Sequence, residues 1–272
     1  MESSERIRPK KSLGQNFLKD PHFLDKIVAA AQVGPEDRVL EIGAGLGHLT
    51  RALAVRARHV LALELDARLI PHLHAIFDGV PNVQIEQCDA LAYPFETLAG
   101  TWKIVANLPY YISTPLIQRL LQYRNRFNSI TLLLQKEVAE RIASPPGSKE
   151  YGYLSVLVQL YAEPRIEFMV PAGAFTPVPD VDSAVITLMI RSHPSVPLAN
   201  RDFLMRLVKA AFSQRRKTLR NSLKQLGISG RKMDTVLVAT GIDPGRRAET
   251  LSVSEFSKLS DYLREEDPEK GQ

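Results

Sequence analysis

A glycine-rich turn between an apolar strand and a helix-like segment constrains the fold of this chain more than any other feature. Residues 39–42 have the apolar character of a buried strand, and the chain then runs through Gly43, Gly45 and Gly47 into an amphipathic stretch. Glycine adopts positive φ readily and lets a ligand approach the backbone closely. This order predicts a ligand site at the carboxyl edge of a parallel sheet.

Short apolar runs alternate with helix-length segments from residue 35 to residue 190. The runs are rich in Val, Ile and Leu, as expected for strands that are covered on both faces. Their order predicts an α/β fold, a doubly wound seven-stranded Rossmann-like sheet. A Pro- and Gly-rich loop separates the last two runs, so we expect a hairpin-like pair at one edge. The predicted strands are residues 39–42, 60–63, 83–86, 104–106, 130–134, 166–170 and 185–190.

The sheet pattern stops near residue 191, and a different pattern follows. Residues 192–200 (SHPSVPLAN) contain two prolines and are predicted to be a linker. Apolar residues then recur at helical spacing from residue 203 to residue 226, and Gly227 is a plausible stop. We expect domains at 1–191, with a basic arm at 1–20, and at 201–272, which is predicted to be small and all-helical.

Positive charge is concentrated in the predicted helical domain. Residues 201–232 hold ten Lys and Arg and one acid, a net +9, whereas the whole chain carries only +5. Clustered cations attract a polyanion such as RNA, although a solvated basic helix without a partner is the alternative. The candidate phosphate contacts are Arg215, Arg216, Lys217 and Arg220, together with Lys10 and Lys11 in the arm.

Composition limits the remaining possibilities. Cys88 is the single cysteine, so the chain has no internal disulfide and no cysteine-based zinc framework. This pattern favours a reducing cytoplasm, and we predict no metal site. No apolar run approaches the roughly 18 residues that a membrane span requires.

The spacing of the glycine loop distinguishes two cofactor classes. Dinucleotide enzymes use G-x-G-x-x-G, but here the third glycine, Gly47, comes one residue early. An acid, Glu41, precedes the first glycine, and the resulting E-x-G-x-G-x-G resembles the loop of S-adenosylmethionine (SAM) methyltransferases. A loop of this kind in an NAD(P) enzyme, or one with a purely structural role, is the alternative.

Two acids at the ends of the next strands support a nucleoside ligand. Glu64 lies 21 residues after Gly43, close to the offset of an acid that accepts hydrogen bonds from ribose hydroxyls. Asp66 could compete for that role. Asp89 ends the third strand, where its carboxylate can accept a hydrogen bond from an adenine amino group.

Residues 107–110 form the chemical motif. Asn107, Leu108, Pro109 and Tyr110 follow the fourth strand and resemble the Asn-x-Pro-Tyr element of amino-group methyltransferases. An exocyclic aromatic amine is a poor nucleophile because its lone pair is delocalised into the ring. The Asn107 side-chain oxygen and the Leu108 carbonyl could accept its N–H bonds, while Pro109 stiffens the turn and Tyr110 offers a ring face.

Several further segments make the resemblance specific. The chain is similar, nearly end to end, to the KsgA/RsmA family of small-subunit (16S) rRNA adenine N6,N6-dimethyltransferases. The matching segments are residues 14–18 (GQNFL), 41–47, 64–66 (ELD), 89–90 (DA), 107–110 (NLPY), 135–141 (QKEVAER), 151–154 (YGYL), 175–183 (FTPVPDVDS), 215–221 (RRKTLRN) and 247–251 (RAETL).

The resemblance implies a role for individual residues of the site. SAM would be capped by Asn16 and Leu18 from the N-terminal side, and its methionine part would lie against Gly43 and Gly45. It further implies Glu64 for ribose, Asp89 for adenine and Asn107 at the reacting centre. Phe175 would stack on a flipped adenine opposite Tyr110.

The same resemblance implies a substrate and leaves alternatives open. It implies that two adjacent adenosines in the 3′-terminal hairpin of 16S rRNA are each methylated twice, within an immature 30S particle. The cysteine usage favours a cytoplasmic protein, which we expect to be a monomer. The alternatives are the 23S rRNA methyltransferase of macrolide resistance, a non-catalytic assembly factor on the same fold, and an NAD(P) oxidoreductase.

Overall fold

A computed structural model gives the positions of residues 8–10, 13–214 and 216–265. All seven predicted strands are present within these residues. The strands are β1 (Phe17–Leu18), β2 (Arg38–Ile42), β3 (His59–Glu64), β4 (Val83–Gln87), β5 (Trp102–Asn107), β6 (Phe127–Gln135), β7 (Ala162–Val170), β8 (Phe175–Thr176) and β9 (Ser183–Ile190). The α-helices are α1 (Pro21–Ala30), α2 (His48–Ala54), α3 (Ile70–Phe77), α4 (Ser113–Gln122), α5 (Lys136–Ala143), α6 (Tyr153–Tyr161), α7 (Arg201–Phe212), α8 (Leu219–Ser222), α9 (Gly230–Thr240) and α10 (Val253–Glu265).

The main sheet has seven strands in the order β4-β3-β2-β5-β6-β9-β7. Strands β2 to β6 pair in parallel, whereas β9 pairs antiparallel with β6. Consecutive residues of β2 and β3 are buried, and since neighbouring side chains point to opposite faces, both faces of the sheet are covered. β7 and β9 lie together at one edge, which confirms the predicted pair.

The strand order places a ligand site in the middle of the sheet. The chain moves outward from β2 to β3 and β4, and then crosses to the other side of β2 to form β5 and β6. The carboxyl ends of β2 and β5 therefore border a topological switch point, where open α/β sheets bind ligands. These ends carry the glycine loop and the residue Asn107.

The described residues divide into two compact units. The first comprises residues 1–139 and 164–190, and the second residues 140–163 and 191–272, in each case as far as the structure describes them. The second unit resumes at residue 191, where the sequence predicts the sheet domain to end. It also includes residues 140–163, which lie within the predicted sheet domain, 1–191. The described part of the chain has no helix with the length and apolar character needed to cross a bilayer.

The helical spacing of apolar residues from residue 203 to residue 226 does not correspond to one helix. α7 ends at Phe212, and α8 begins only at Leu219. The break is stabilised by side chains, because Gln225 Nε2 donates to the carbonyl of Ala210 (2.8 Å) and Ser213 Oγ donates to the same oxygen (2.7 Å). The described basic residues of 215–217 therefore lie in a turn and not on a helix face.

Candidate active site

A pocket lies at the carboxyl edge of the first unit's sheet. Its volume, counted out to its open mouth, is about 800 Å³, within the usual range for small-molecule sites. Three segments surround it: the N-terminal residues before β1, the glycine loop with the ends of β3 and β4, and the turn after β5. The lining residues are Leu13, Gly14, Gln15, Asn16, Phe17, Ile42, Gly43, Gly45, Leu63, Glu64, Leu65, Cys88, Asp89, Ala90, Asn107, Leu108, Pro109, Tyr110, Tyr111 and Ile112.

The glycine loop is packed closely from both sides. A Cβ built on Gly45, whose φ is +57°, would lie 3.2 Å from the ring of Phe17, and one on Gly43 would lie 3.6 Å from the carbonyl oxygen of Asn107. A side chain at either position would reduce the gap between the N-terminal segment and the β5 turn. The loop thus forms a smooth floor of exposed backbone, as a close-fitting ligand requires.

Glu64 fixes this loop and faces the pocket. Its Oε2 accepts the backbone N–H of Gly45 (2.8 Å), and its Oε1 accepts the backbone N–H of Asp66 (2.8 Å). Burial raises the pKa of Glu64, while these N–H groups oppose the rise. Asp66, in contrast, does not line the pocket. Of the two acids considered for a ribose, the structure places Glu64 in the site.

Asp89, the acid that follows β4, lies in the same pocket. Asp89 is exposed there, and its Oδ1 accepts the backbone N–H of Leu91 (2.8 Å), which orients the carboxylate. Leu65 and Ala90 add apolar surface to the lining of the pocket. A flat ring between such walls, with an acid at its edge, is the arrangement that an adenine needs.

The turn after β5 presents its polar groups to the pocket. Asn107 Nδ2 donates to the backbone carbonyl of Asn16 (3.2 Å), which directs the opposite end of the amide, Oδ1, away from that contact. Leu108 donates its backbone N–H to the Leu133 carbonyl (3.3 Å), and the hydroxyl of Ser113 donates to the Pro109 carbonyl (3.3 Å). These contacts connect the turn to β6 and to α4.

Tyr110 and Tyr111 both line the pocket. The hydroxyl of Tyr110 is 2.9 Å from Ser183 Oγ, and burial raises the pKa of this phenol. Tyr111 is 56% exposed and packs beside Gly14. Tyr111 was not among the residues predicted from the sequence, although the second tyrosine directly after Tyr110 was a visible signal.

Phe175 does not face the pocket in this structure. β8 pairs antiparallel with β1, with Phe175 opposite Leu18, and both side chains are buried in an apolar cluster with Val170 and Val185. Phe175 is 3% exposed because this pairing directs its ring into the core. Its stacking role opposite Tyr110 stays a prediction. Leu18 lies in a smaller neighbouring cavity beside the glycine loop.

The residues predicted to contact RNA differ in their exposure and in their partners. Arg216 and Lys217 are exposed in the turn between α7 and α8, and Lys10 is exposed near the pocket segment. Arg220 makes a bidentate ion pair with Asp234, at 2.5 and 2.8 Å, so its guanidinium already has an internal role. Arg215 and Lys11 lie outside the described residues.

The pocket meets the requirements of SAM, a nucleoside with an amino-acid tail and positive charge. It offers an acid at each of two strand ends, apolar walls and a glycine floor. Sheet order, glycine loop and the polar turn after β5 together define the class of this protein: it is a SAM-dependent methyltransferase.

The chain belongs to the ribosomal RNA adenine dimethylase family, whose model matches residues 6–265. It is 49% identical over 264 residues to "Ribosomal RNA small subunit methyltransferase A" of Geobacter sulfurreducens, covering 94% of this chain and 96% of the relative. The same name belongs to a protein of Moorella thermoacetica that is 46% identical over 94% of this chain and 93% of its own length.

Two of the solved structures that this chain resembles align with most of its length. A dimethyladenosine transferase from Plasmodium falciparum is 31% identical, with a TM-score of 0.77 over 89% of this chain and 95% of that one. The 23S rRNA methyltransferase ErmE is 27% identical, with a TM-score of 0.71 over 92% of this chain and 100% of that one. The fold prediction of a SAM-methyltransferase sheet with a helical C-terminal region is confirmed.

Proposed function

We propose that this protein dimethylates the N6 amino groups of two adjacent adenosines in the 3′-terminal hairpin of 16S rRNA. We propose further that it acts as a monomer in the cytoplasm, on the immature 30S particle, and that this step belongs to small-subunit biogenesis. The relatives named small subunit methyltransferase A, at 46 to 49% identity, support this choice of substrate.

One observation carries the proposal: Asn107 lies at the pocket with its amide nitrogen already engaged by Asn16. The remaining amide oxygen can accept an N–H of a target amine. With the Leu108 carbonyl as a second acceptor, the amine nitrogen would be held pyramidal, so that its lone pair is available for bond formation. Such positioning contributes mainly through orientation of the reacting groups.

Other residues hold the donor and the base. When bound, SAM supplies a methyl group activated by its sulfonium. Glu64 and Asp89 would accept hydrogen bonds from its ribose and adenine, over the floor of Gly43 and Gly45. A target adenine must leave its stack to enter such a site, and an aromatic face such as that of Tyr110 offsets part of the unstacking cost.

The RNA would be held by cations outside the pocket. Arg216, Lys217 and Lys10 are exposed and can contact phosphates. Phosphate contacts position a substrate without reading its sequence, so the shape of the hairpin would select the target.

A methylation assay on undermethylated 30S particles, with labelled SAM and mapping of the modified nucleotides, tests this proposal. Asn107→Ala should abolish transfer and leave the Kd for SAM within about tenfold, or about 1.4 kcal/mol. Asn128, exposed at the start of β6, provides the matched control Asn128→Ala, which should retain activity. Turnover by Asn107→Ala would remove Asn107 from the mechanism.

The similarity to ErmE favours a second candidate, methylation of 23S rRNA. Parallel assays on protein-free 23S rRNA and on 30S particles separate the two functions. Label on an adenine of 23S rRNA, with none on 30S particles, would overturn the 16S proposal.

A further inference from the structure

The segment that leads into and forms β1 lines the pocket, and a side chain at its centre holds it in place. We define the strap as residues 13–18. Gln15, in the strap, accepts the backbone N–H of Lys10 at its Oε1 (2.7 Å) and donates from its Nε2 to Asp66 Oδ2 (3.0 Å). The amide of Gln15 is therefore engaged at both ends, and the second contact joins residues 51 positions apart.

Asp66 is itself held in place by Arg68. Arg68 donates to it from Nε (2.9 Å to Oδ1) and from a terminal nitrogen (2.5 Å to Oδ2), and the Arg68 backbone N–H donates as well (3.2 Å). The Arg68 guanidinium, followed by Gln15, holds the pKa of Asp66 at about 2. Asp66 is 5% exposed, and these contacts hold its carboxylate in place. From the sequence, Asp66 was an alternative to Glu64 for binding the ribose. In the structure, its carboxylate instead accepts a hydrogen bond from Gln15 in the strap.

The strap contacts the turn after β5 through Asn16. The residue after Gln15 is Asn16, whose carbonyl accepts Asn107 Nδ2 (3.2 Å). A Cβ on Gly14 would lie 3.3 Å from the ring of Tyr111, so the strap passes close to this turn on a second side. A shift of the strap of about an ångström would break the Asn16–Asn107 contact, since a hydrogen bond is lost beyond about 3.5 Å.

An unrestrained asparagine amide can rotate by half a turn and exchange its oxygen and nitrogen. Only one orientation presents an acceptor to an incoming amine; the other presents N–H donors, which cannot accept an N–H. The Asn16 carbonyl selects the productive orientation because it can only accept.

We propose that Gln15 and Asp66 form a latch that positions the catalytic amide. By fixing the strap, they hold the Asn16 carbonyl against Asn107 Nδ2, and this contact turns Asn107 Oδ1 toward the amine that is to be methylated. Gln15 and Asp66 are positioning residues and touch neither reacting atom. The inference rests on the proposed role of Asn107. It makes strap closure a requirement for transfer and not only a cover for the donor.

Two substitutions of similar length at Gln15 separate the latch from simple packing. Gln15→Met removes both hydrogen bonds, whereas Gln15→Lys keeps a donor directed at Asp66. With SAM and 30S particles saturating, Gln15→Met should lower kcat at least tenfold, and Gln15→Lys should restore most of it. Gln84→Met, the same change at an exposed position of β4, is the matched control and should leave kcat unchanged.

A spectroscopic measurement tests the latch without any RNA. In protein labelled with ¹⁵N-asparagine, the side-chain amide of Asn107 is assigned by its loss in Asn107→Asp. In the wild type and in Gln15→Lys, this amide should exchange its protons slowly; in Gln15→Met, exchange should be at least tenfold faster.

Several results of these experiments would contradict the latch. Wild-type kcat in Gln15→Met, a loss confined to the KM for SAM, or equal losses in the Met and Lys variants would each overturn the latch. Unchanged amide exchange in Gln15→Met would overturn it as well. If the wild type methylates no RNA, the proposed function fails, and the amide measurement still judges whether the latch orients Asn107.

Discussion

Gly47, the third glycine of the loop, is predicted to serve helix packing and not ligand binding. It is the N-cap of α2 with φ +77°, and it is not among the pocket-lining residues. A Cβ there would lie 2.7 Å from Ile76 Cδ1, 2.9 Å from Phe77 Cε2 and 3.2 Å from Leu73 Cδ2, all on α3. Leu73 and Phe77 are buried, so they can move aside only by disturbing their own core.

The chain provides a matched control for this position. Gly79 has φ +72° and no atom within 4 Å of a built Cβ. Gly79→Ala should cost only the left-handed backbone conformation, about 1–2 kcal/mol. Gly47→Ala should cost the same and, in addition, about 1–3 kcal/mol for overpacking. The free energy of unfolding should therefore fall by about 2–5 kcal/mol in Gly47→Ala.

Urea unfolding followed by the fluorescence of Trp102 measures this difference. Trp102 is the single tryptophan and begins β5, which pairs with β2, the strand that leads into the glycine loop. In the folded variants, the Kd for SAM should stay within about threefold of the wild type, or about 0.7 kcal/mol. Equal losses of stability in the Gly47 and Gly79 variants would refute the packing argument, and weaker SAM binding in folded Gly47→Ala would place the third glycine in the ligand site.

Three further predictions concern the acids and the basic turn. Glu64→Ala should raise the Kd for SAM at least tenfold, because it removes a pocket-facing carboxylate and frees the Gly45 N–H; calorimetry that shows unchanged affinity would remove Glu64 from the site. Burial raises the pKa of Glu41 to about 8, so the native state retains a proton that the unfolded chain releases near 4.5. The free energy of unfolding should therefore fall as pH rises between these two values. Glu41→Gln should flatten this fall in the urea midpoints, and an unchanged slope would contradict the raised pKa of Glu41. Neutralising Arg216 and Lys217 together should weaken binding to 30S particles and reduce the slope of log affinity against log salt; an unaltered slope would show that this turn contacts no phosphate.

The sequence by itself was sufficient for the fold class and for most of the pocket. Strands of a parallel sheet are apolar on both faces, and their carboxyl ends meet at one edge, so their order along the chain fixes which polar residues converge. Glu64, Asp89, Asn107 and Tyr110 could be assigned for this reason.

Helix continuity was less predictable. The apolar spacing from residue 203 to residue 226 continues through the turn between α7 and α8, because both helices bury residues at a similar period. The break depends on Gln225, which contacts the end of α7 from 15 residues away. A periodic pattern carries no information about such a long-range hydrogen bond.

Only the tertiary structure decided which of several equivalent side chains enter the pocket. Glu64 and Asp66 are chemically alike and two residues apart, yet one faces the pocket while the other is occupied by Arg68 and Gln15. The pairing of β1 with β8, across a separation that no local pattern encodes, likewise directs Phe175 into the core. Local sequence determines what a side chain can bind, and the partners brought from distant parts of the chain determine which of those groups it actually meets.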